Sequence, residues 1–237
     1  MYCSRIKIFS KRNLSIFLNF MIFALSFSGF LISCLNAKGE GYYHWITRLL
    51  YFTQQSNLWI GIASLIFAIM LIKKDTQYAY LKTASVFKYV FTVSITLTGI
   101  IFCSFLAPFA GYNVWTFASV LTHVVVPVLS VVDFFTNREI TEIDKKHTWL
   151  TLIPPFLYFI FTSVLCILKI DFGKGEPYPY FFMDYYSEVG LFGFVGEWPP
   201  KIGSFYWMVF IFALVYLLGA VYYKIKAAFR LKSENNK

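Results

Sequence analysis

The chain has 237 residues, of which 58% are hydrophobic and 22% aromatic, while only 14% are charged. A mean hydropathy of +0.62 excludes a soluble globular domain, and the apolar residues form blocks of about 20, the length that a helix needs to cross a hydrocarbon core ~30 Å thick. The net charge of +9 does not indicate nucleic-acid binding, because the basic residues form short clusters at the ends of these blocks.

The apolar blocks predict six transmembrane helices in a single domain that covers residues 1–237. The spans run over roughly 14–35, 45–72, 86–108, 113–135, 148–169 and 204–224. This pattern indicates an all-α fold class: a polytopic membrane protein whose six-helix bundle carries a long outer loop before the last helix.

The basic residues predict the orientation of the bundle. When Lys and Arg are assigned to alternate sides of six spans, 16 of the 21 fall on the side that holds both termini. The positive-inside rule then predicts that both termini are cytoplasmic and that the protein is a multi-pass protein of the cell membrane. The other side keeps Lys38, Arg48, Lys169, Lys174 and Lys201.

The first span follows a basic segment, as a signal peptide does, and the stretch from Leu31 to Cys34 resembles a lipoprotein processing site. We interpret it as a retained helix, because its apolar stretch of about 20 residues is longer than a typical signal core and five further spans follow. The four cysteines form no CxxC pair and have no His partner at metal spacing, so we expect no metal, cofactor or disulfide framework.

The second span contains a run of five polar side chains, Thr53, Gln54, Gln55, Ser56 and Asn57. A polar group that faces hydrocarbon costs free energy unless it finds a partner, so the run should face the interior of the bundle. At helical spacing, Thr53, Ser56 and Asn57 share one face. We therefore expect a polar pocket beside the outer half of this span.

The fourth span places His123 about ten residues in from its outer end, on one face with Thr116 and Ser119. An ionisable group at that depth favours a functional role, although a neutral His that hydrogen-bonds across helices is an equally good interpretation. Asp133 lies ~15 Å further along the helix, too far to orient His123. We expect Asp133 to cap the inner end of the span or to pair with a cation from a loop.

The second and fourth spans both run inward, so Thr53 and His123 should meet at similar depth. A neutral His can act as general base for a threonine hydroxyl, which then attacks an ester carbonyl and forms an acyl-threonine. We expect the remaining polar groups to bind the substrate or to donate hydrogen bonds to the developing oxyanion. These candidate residues are Gln54, Gln55, Ser56, Asn57 and Ser119.

The outer segment from Lys169 to Lys201 is dense in Tyr, Phe, Trp, Gly and Pro. Its aromatic side chains favour a re-entrant or interfacial lid above the pocket. A wet extracellular loop is the alternative.

Three motifs carry a resemblance: YFTQQSNLW on the second span, LTHVVVPVLSVVDFF on the fourth, and PYPYFFMD in the outer segment. Together they resemble the androgen-induced gene and androgen-dependent TFPI-regulating protein family, including its uncharacterised bacterial six-span relatives. The resemblance implies an intramembrane threonine hydrolase that cleaves fatty acid esters of hydroxy fatty acids. It implies Thr53 as the nucleophile and His123 as the base, and the motifs after the threonine are closer to the bacterial branch.

The predicted function is therefore hydrolysis of lipid esters, with membrane lipids and a lipid ester as partners and without nucleic acid. A small-molecule or lipid transporter is one alternative, although the sequence shows neither an internal repeat nor paired helix breaks. A haem carrier would need a second axial ligand, and His123 is the only His well inside a predicted span. A structural membrane protein is the remaining alternative.

Overall fold

The computed structural model describes residues 11–73, 78–110, 113–137, 140, 143–196 and 201–234. Within these ranges, six helices are long and apolar enough to cross a membrane. They are Arg12–Leu35, Phe52–Ile72, Tyr78–Leu106, Phe117–Thr136, Lys145–Ile167 and Ser204–Arg230. The structure confirms the predicted fold class, an all-α polytopic membrane protein.

Three of the six spans are built from more than one kind of helix. The α-helices are α1 (Lys11–Leu35), α2 (Phe52–Ile72), α3 (Tyr78–Ile101), α4 (Phe117–Val120), α5 (Val126–Thr136), α6 (Ile153–Ile167) and α7 (Ser204–Glu234). Two π-helical turns, Phe102–Leu106 and Leu121–Val125, continue α3 and join α4 to α5. Three 3₁₀-helices cover Trp45–Leu50, Lys145–Leu152 and Phe181–Met183. A two-stranded antiparallel ribbon pairs β1 (Phe194–Val195) with β2 (Lys201–Ile202).

Two spans begin at places that differ from the prediction. The second span starts as an α-helix at Phe52 rather than near residue 45, because Trp45–Leu50 is a 3₁₀-helix and Tyr51 has an extended backbone. The third span starts at Tyr78 rather than near residue 86. Lys82 makes the part of the chain before residue 86 look like a loop, but it lies in the helix.

We call the end of the bundle that holds the segment between α6 and α7 the long-loop end, and the end where α1 begins the terminal end. Helix α1 packs closely along α2 and the fourth span. A Cβ atom at Gly61 would lie 2.2 Å from the Ser26 hydroxyl, and one at Gly29 would lie 2.7 Å from a methyl carbon of Thr122. Small residues therefore let the helix backbones approach, as is usual in membrane bundles.

The core of the bundle contains two polar layers with an apolar layer between them. The apolar layer consists of Ile22, Ile60, Ile95 and Val126, one residue from each of four helices, and all four are fully buried. Toward the long-loop end lie the polar run of α2 and the fourth-span histidine. Toward the terminal end lies a second set of buried polar groups.

That second set is organised by an ion pair between Lys88 on α3 and Asp133 on α5, 3.0 Å apart and fully buried. Lys88 also donates to the Ser64 hydroxyl at 2.9 Å, while Asn19 and Ser15 of α1 donate to the Asp133 carboxylate at 2.9 and 3.2 Å. The expectation that Asp133 caps a helix or pairs with a loop cation is thus wrong. Its partner is a lysine inside the third span.

The segment between α6 and α7 has two parts. Near Phe172 and at Phe182 and Met183 it is buried in the long-loop end of the bundle. Further on, Phe192 and Phe194 are 65% and 69% exposed on the turn and the ribbon. The first part packs mainly as a plug, and the second has exposed aromatic side chains of the kind expected of an interfacial segment.

Candidate functional site

The structure brings Thr53 and His123 together at the long-loop end of the bundle. The Thr53 Oγ1 atom lies 3.3 Å from His123 Nε2. Thr53 is the second residue of α2 and is only 9% exposed. The distance between the two atoms is short enough for the hydrogen bond along which a hydroxyl transfers its proton to an imidazole.

His123 lies in the π-helical turn Leu121–Val125. There the Val126 N–H bonds to the Leu121 carbonyl, five residues back. Pro127 has no N–H, so it cannot bond to the His123 carbonyl as an α-helical residue would. That carbonyl instead faces Gly99 of α3, where a Cβ atom would lie only 2.8 Å from it. Wide turns of this kind occur often at functional sites.

The imidazole of His123 is held in one tautomer. Its Nδ1 lies 2.9 Å from the backbone carbonyl of Ser119, and since a carbonyl only accepts, Nδ1 carries the proton. The lone pair of Nε2 is then available to the Thr53 hydroxyl. The ring of Phe102 stacks on the imidazole with a centroid distance of 3.7 Å, which fixes the plane of the ring. Ser119, predicted to bind substrate, thus contributes its carbonyl, while its own hydroxyl accepts from Thr116 at 3.2 Å.

The other polar residues of α2 bond to neighbouring elements. Gln54 donates to the Ser33 hydroxyl at 3.3 Å and Gln55 donates to the Leu49 carbonyl at 2.8 Å. One hydrogen bond from each amide group is therefore made away from the Thr53 hydroxyl, and the expectation that these residues serve an oxyanion stays a prediction. The pairings hold α2 against α1 and the preceding 3₁₀-helix.

Ser56 and Asn57 brace the backbone of the site. Ser56 donates to the Thr53 carbonyl at 3.1 Å and pairs with Thr98 of α3 at 2.8 Å. Asn57 donates from one nitrogen to two carbonyls, that of Thr53 at 2.8 Å and that of Thr122 at 3.1 Å. Asn57 thus ties the residue that carries the hydroxyl to the turn that carries the imidazole.

Two tyrosines that sequence reasoning did not select complete the site. The Tyr180 hydroxyl interacts with both the side chain and the backbone N–H of Thr53, and the Tyr158 hydroxyl donates to the Leu50 carbonyl at 3.0 Å. Burial raises the pKa of Tyr180, and the contacts with Thr53 and Tyr158 offset part of the rise. Tyr180 is therefore a neutral phenol that can donate a hydrogen bond. Its position directly after the second proline of PYPYFFMD was the available signal.

A narrow cavity of about 80 Å³ begins at Thr53. Its volume corresponds to two or three water molecules at ~30 Å³ each. Apart from Thr53 and the two tyrosines, its wall is almost entirely apolar. On the far side it is formed by half-buried residues of α6 and α7, namely Phe159, Met208, Ile211 and Phe212.

The other histidines and the cysteines lie elsewhere. His44 caps the 3₁₀-helix Trp45–Leu50, and His147 lies at the terminal end in the 3₁₀-helix Lys145–Leu152. Cys34, Cys103 and Cys166 are free thiols. Among the residues that the structure describes, no three His, Cys, Asp or Glu side chains form a group able to hold a metal ion.

Comparison of the chain with protein-family models, with curated proteins and with solved structures gives no match. The family resemblance carried by the three sequence motifs therefore stays a prediction. The case for a function rests on the geometry around Thr53.

Proposed function

We propose that the protein is an intramembrane hydrolase of lipid esters in which Thr53 is the nucleophile and His123 the general base. The observation that carries this proposal is the 3.3 Å contact between the Thr53 hydroxyl and an imidazole nitrogen whose partner nitrogen is held by the Ser119 carbonyl. A hydroxyl, a base and an orienting group in this order form the arrangement that activates a nucleophile.

The first half of the reaction transfers the acyl group to the protein. Thr53 Oγ1 attacks the ester carbonyl carbon while His123 Nε2 takes the hydroxyl proton. The negative charge on the carbonyl oxygen is stabilised by the Tyr180 hydroxyl, a donor fixed in a largely apolar cavity. The carbon–oxygen bond to the alcohol then breaks, and the imidazolium returns its proton to the departing oxygen. An acyl-threonine remains.

The second half uses water. A water molecule attacks the acyl-threonine carbonyl and gives one proton to His123 Nε2. Collapse of this second intermediate breaks the bond to Thr53 Oγ1, which recovers the proton from the imidazolium. The carboxylic acid leaves and the resting state is restored.

The cavity supports a lipid ester as substrate. Its apolar wall accepts hydrocarbon, and its small volume admits the ester group with only a few methylene groups, so the rest of an acyl chain has to extend past the half-buried residues of α6 and α7. Below Thr53, the fully buried layer of Ile22, Ile60, Ile95 and Val126 separates the site from the terminal end. Fatty acid esters of hydroxy fatty acids, the class implied by the resemblance, meet these requirements.

The test is turnover of such an ester by the purified protein in lipid nanodiscs. We expect Thr53→Ala and His123→Ala to abolish turnover while the protein stays folded, and Thr53→Ser to retain part of it, because the hydroxyl survives. The matched control is Thr136→Ala, since Thr136 is exposed at the terminal end and its hydroxyl bonds to the Val132 carbonyl of its own helix. Wild-type turnover in both alanine variants would refute the assignment, and an inactive wild type would favour the transporter or structural alternatives.

A further inference from the structure

Most of the half-buried side chains in the wall of the Thr53 cavity lie on α6 and α7. The residues that α2 and α3 contribute are all buried, namely Phe52, Thr53, Leu97, Thr98 and Ile101. The half-buried residues on α6 and α7 are Phe159, Met208, Ile211 and Phe212. Beside them, Phe156 and Val209 are each 51% exposed. The cavity therefore approaches the surrounding lipid at the seam between α6 and α7.

At the terminal end this seam is closed, because α7 packs directly on the 3₁₀-helix Lys145–Leu152 that leads into α6. A Cβ atom at Gly219 would lie only 2.9 Å from the Thr151 hydroxyl oxygen. One turn away, the rings of Trp149 and Tyr216 lie 4.8 Å apart. A hydrocarbon chain cannot pass between the two spans at this level.

At the long-loop end the 3₁₀-helix Phe181–Met183 contacts both spans. The Thr162 hydroxyl of α6 lies 3.5 Å from the Met183 sulfur, and the Phe181 ring lies 5.4 Å from the ring of Trp207 on α7. The two spans thus meet at the terminal end and have another element packed between them at the long-loop end. We call the gap between these two levels the side opening.

Phe212 lies across the side opening. Its ring centroid is 6.2 Å from that of Phe156 and 6.4 Å from that of Phe159, and both partners belong to α6. Contacts of this kind are held weakly in a membrane, because lipid tails are as apolar as the side chains and can replace them. An acyl chain can therefore take the place of the ring contacts without leaving a polar group unpaired.

We propose that a lipid ester enters the Thr53 cavity from the membrane through the side opening, and that Phe212 determines which acyl chains the cavity accepts. A cavity of about 80 Å³ holds only a few methylene groups, so a long chain must continue through the opening into the lipid. The Phe212 ring stands in this path. The role in substrate choice rests on the proposed hydrolase function, whereas the opening itself does not depend on the role of Thr53.

Photocrosslinking in Thr53→Ala protein tests the opening without any chemistry at the site. The probe is a non-hydrolysable dialkyl ether with a diazirine beside the ether oxygen, added to nanodiscs, irradiated and mapped by mass spectrometry. We expect crosslinks at Leu97 and Ile101, which are only 4% and 8% exposed and line the cavity, in addition to lipid-exposed Val209. Crosslinks at Val209 without any in the cavity would overturn the proposal, because they describe ordinary lipid contact.

Variants of Phe212 test its role in the same experiment. Phe212→Trp enlarges the ring and should lower the Leu97 and Ile101 crosslinks several-fold relative to Val209, while Phe212→Ala should raise them. The matched control is the pair Phe27→Trp and Phe27→Ala, since Phe27 is 43% exposed on α1 and is not part of the cavity wall. An unchanged ratio in both Phe212 variants, or an equal change in the Phe27 variants, would overturn the assignment of Phe212.

Turnover with Thr53 present tests substrate choice. Phe212→Ala should raise kcat/KM for a hexadecanoyl ester relative to a butanoyl ester by about tenfold or more, because a difference of one methylene group in an apolar pocket already changes selectivity by that factor. Phe27→Ala should leave the ratio unchanged, and an unchanged ratio in Phe212→Ala would contradict the proposal. A protein that crosslinks as expected but hydrolyses neither ester would refute the hydrolase assignment and still support the side opening, so the two failures are distinguishable.

Discussion

At the scale of single residues, the site differs from a triad in the group that orients the histidine. A carbonyl of the same helix, that of Ser119, holds His123 Nδ1 at 2.9 Å, while the only acidic side chain of the span, Asp133, pairs with Lys88. A neutral carbonyl fixes the tautomer but stabilises an imidazolium less than a carboxylate does. The proposed mechanism therefore relies more on a donor at the oxyanion.

Tyr180→Phe should therefore lower kcat by about 10²–10³, the usual effect of losing one oxyanion donor, with little change in KM. The control is Tyr185→Phe in the same segment, whose hydroxyl pairs with Ser163 at 2.7 Å outside the Thr53 cavity. Kinetics of both variants on one lipid ester provide the measurement. An equal loss in the two variants, or no loss at Tyr180, would remove Tyr180 from the mechanism.

The sequence predicted the two central residues because each is a polar exception within an apolar span. Thr53 and His123 lie at similar depth on spans of the same direction, and the structure places them in contact. The partners of Gln54 and Gln55 could not be predicted, because helical spacing gives the face of a residue and not the neighbour opposite it. Tyr180 was missed because its approach to Thr53 depends on how the segment after α6 folds back.

At the scale of elements, the position of His123 depends on the close approach of two helices. Pro127 leaves the His123 carbonyl without an α-helical partner, and Gly99 of α3 provides the space for it. Gly99→Ala would put a methyl group 2.8 Å from that oxygen and 3.4 Å from Pro127. Because the oxygen belongs to the helix backbone, the whole turn has to move.

We expect Gly99→Ala to lower kcat/KM by about ten- to a hundredfold, since a shift of roughly 1 Å in a catalytic group has effects of this size. Gly39→Ala is the control, because a Cβ there meets only the Asn36 carbonyl at an ordinary 3.5 Å. Turnover assays on both variants check the expectation. Full activity in Gly99→Ala would show that the turn tolerates the shift.

The ion pair between α3 and α5 gives a prediction about stability. Lys88→Met leaves the Asp133 carboxylate buried without its cation and should lower the free energy of unfolding by about 3–5 kcal/mol. The double variant Lys88→Met, Asp133→Leu removes both charges and should recover most of that loss. The free energies of unfolding of the wild type, of Lys88→Met, of Asp133→Leu and of the double variant, measured in detergent, form a double-mutant cycle that gives the interaction energy of the pair. A double variant less stable than either single one would contradict this account.

This pair also explains why one helix boundary could not be predicted. Hydropathy places Lys82 before the third span and Lys88 close to its start, but both lie well inside α3, where Lys88 has a buried partner in Asp133. The long apolar blocks were sufficient to predict the number and order of the spans. The break at Tyr51 depends on its contacts, including a hydrogen bond to the Phe172 carbonyl at 3.2 Å, and these come from a distant part of the chain.

At the scale of the whole molecule, the bundle has two buried polar layers with different tasks. The layer near the long-loop end contains the proposed catalytic groups, and the layer near the terminal end contains the Lys88–Asp133 pair. The apolar layer of Ile22, Ile60, Ile95 and Val126 closes the route between them. Substrate and products should therefore exchange with the lipid or with the long-loop side.

The distribution of basic residues predicts that this long-loop side is the outer one. A reporter fused to the C-terminus should therefore report a cytoplasmic location. The control is the same reporter inserted into the exposed turn at 185–192. A C-terminal reporter located outside, with the inserted one inside, would reverse the orientation of the whole site.

The most direct test of the central claim is covalent labelling of the nucleophile. Purified protein in nanodiscs is treated with a fluorophosphonate probe, digested and mapped by mass spectrometry. We predict that the probe modifies Thr53, that Thr53→Ala and His123→Ala remove the label, and that Thr136→Ala keeps it. Labelling at another residue, or labelling that persists in folded Thr53→Ala protein, would contradict the assignment of Thr53 as the nucleophile.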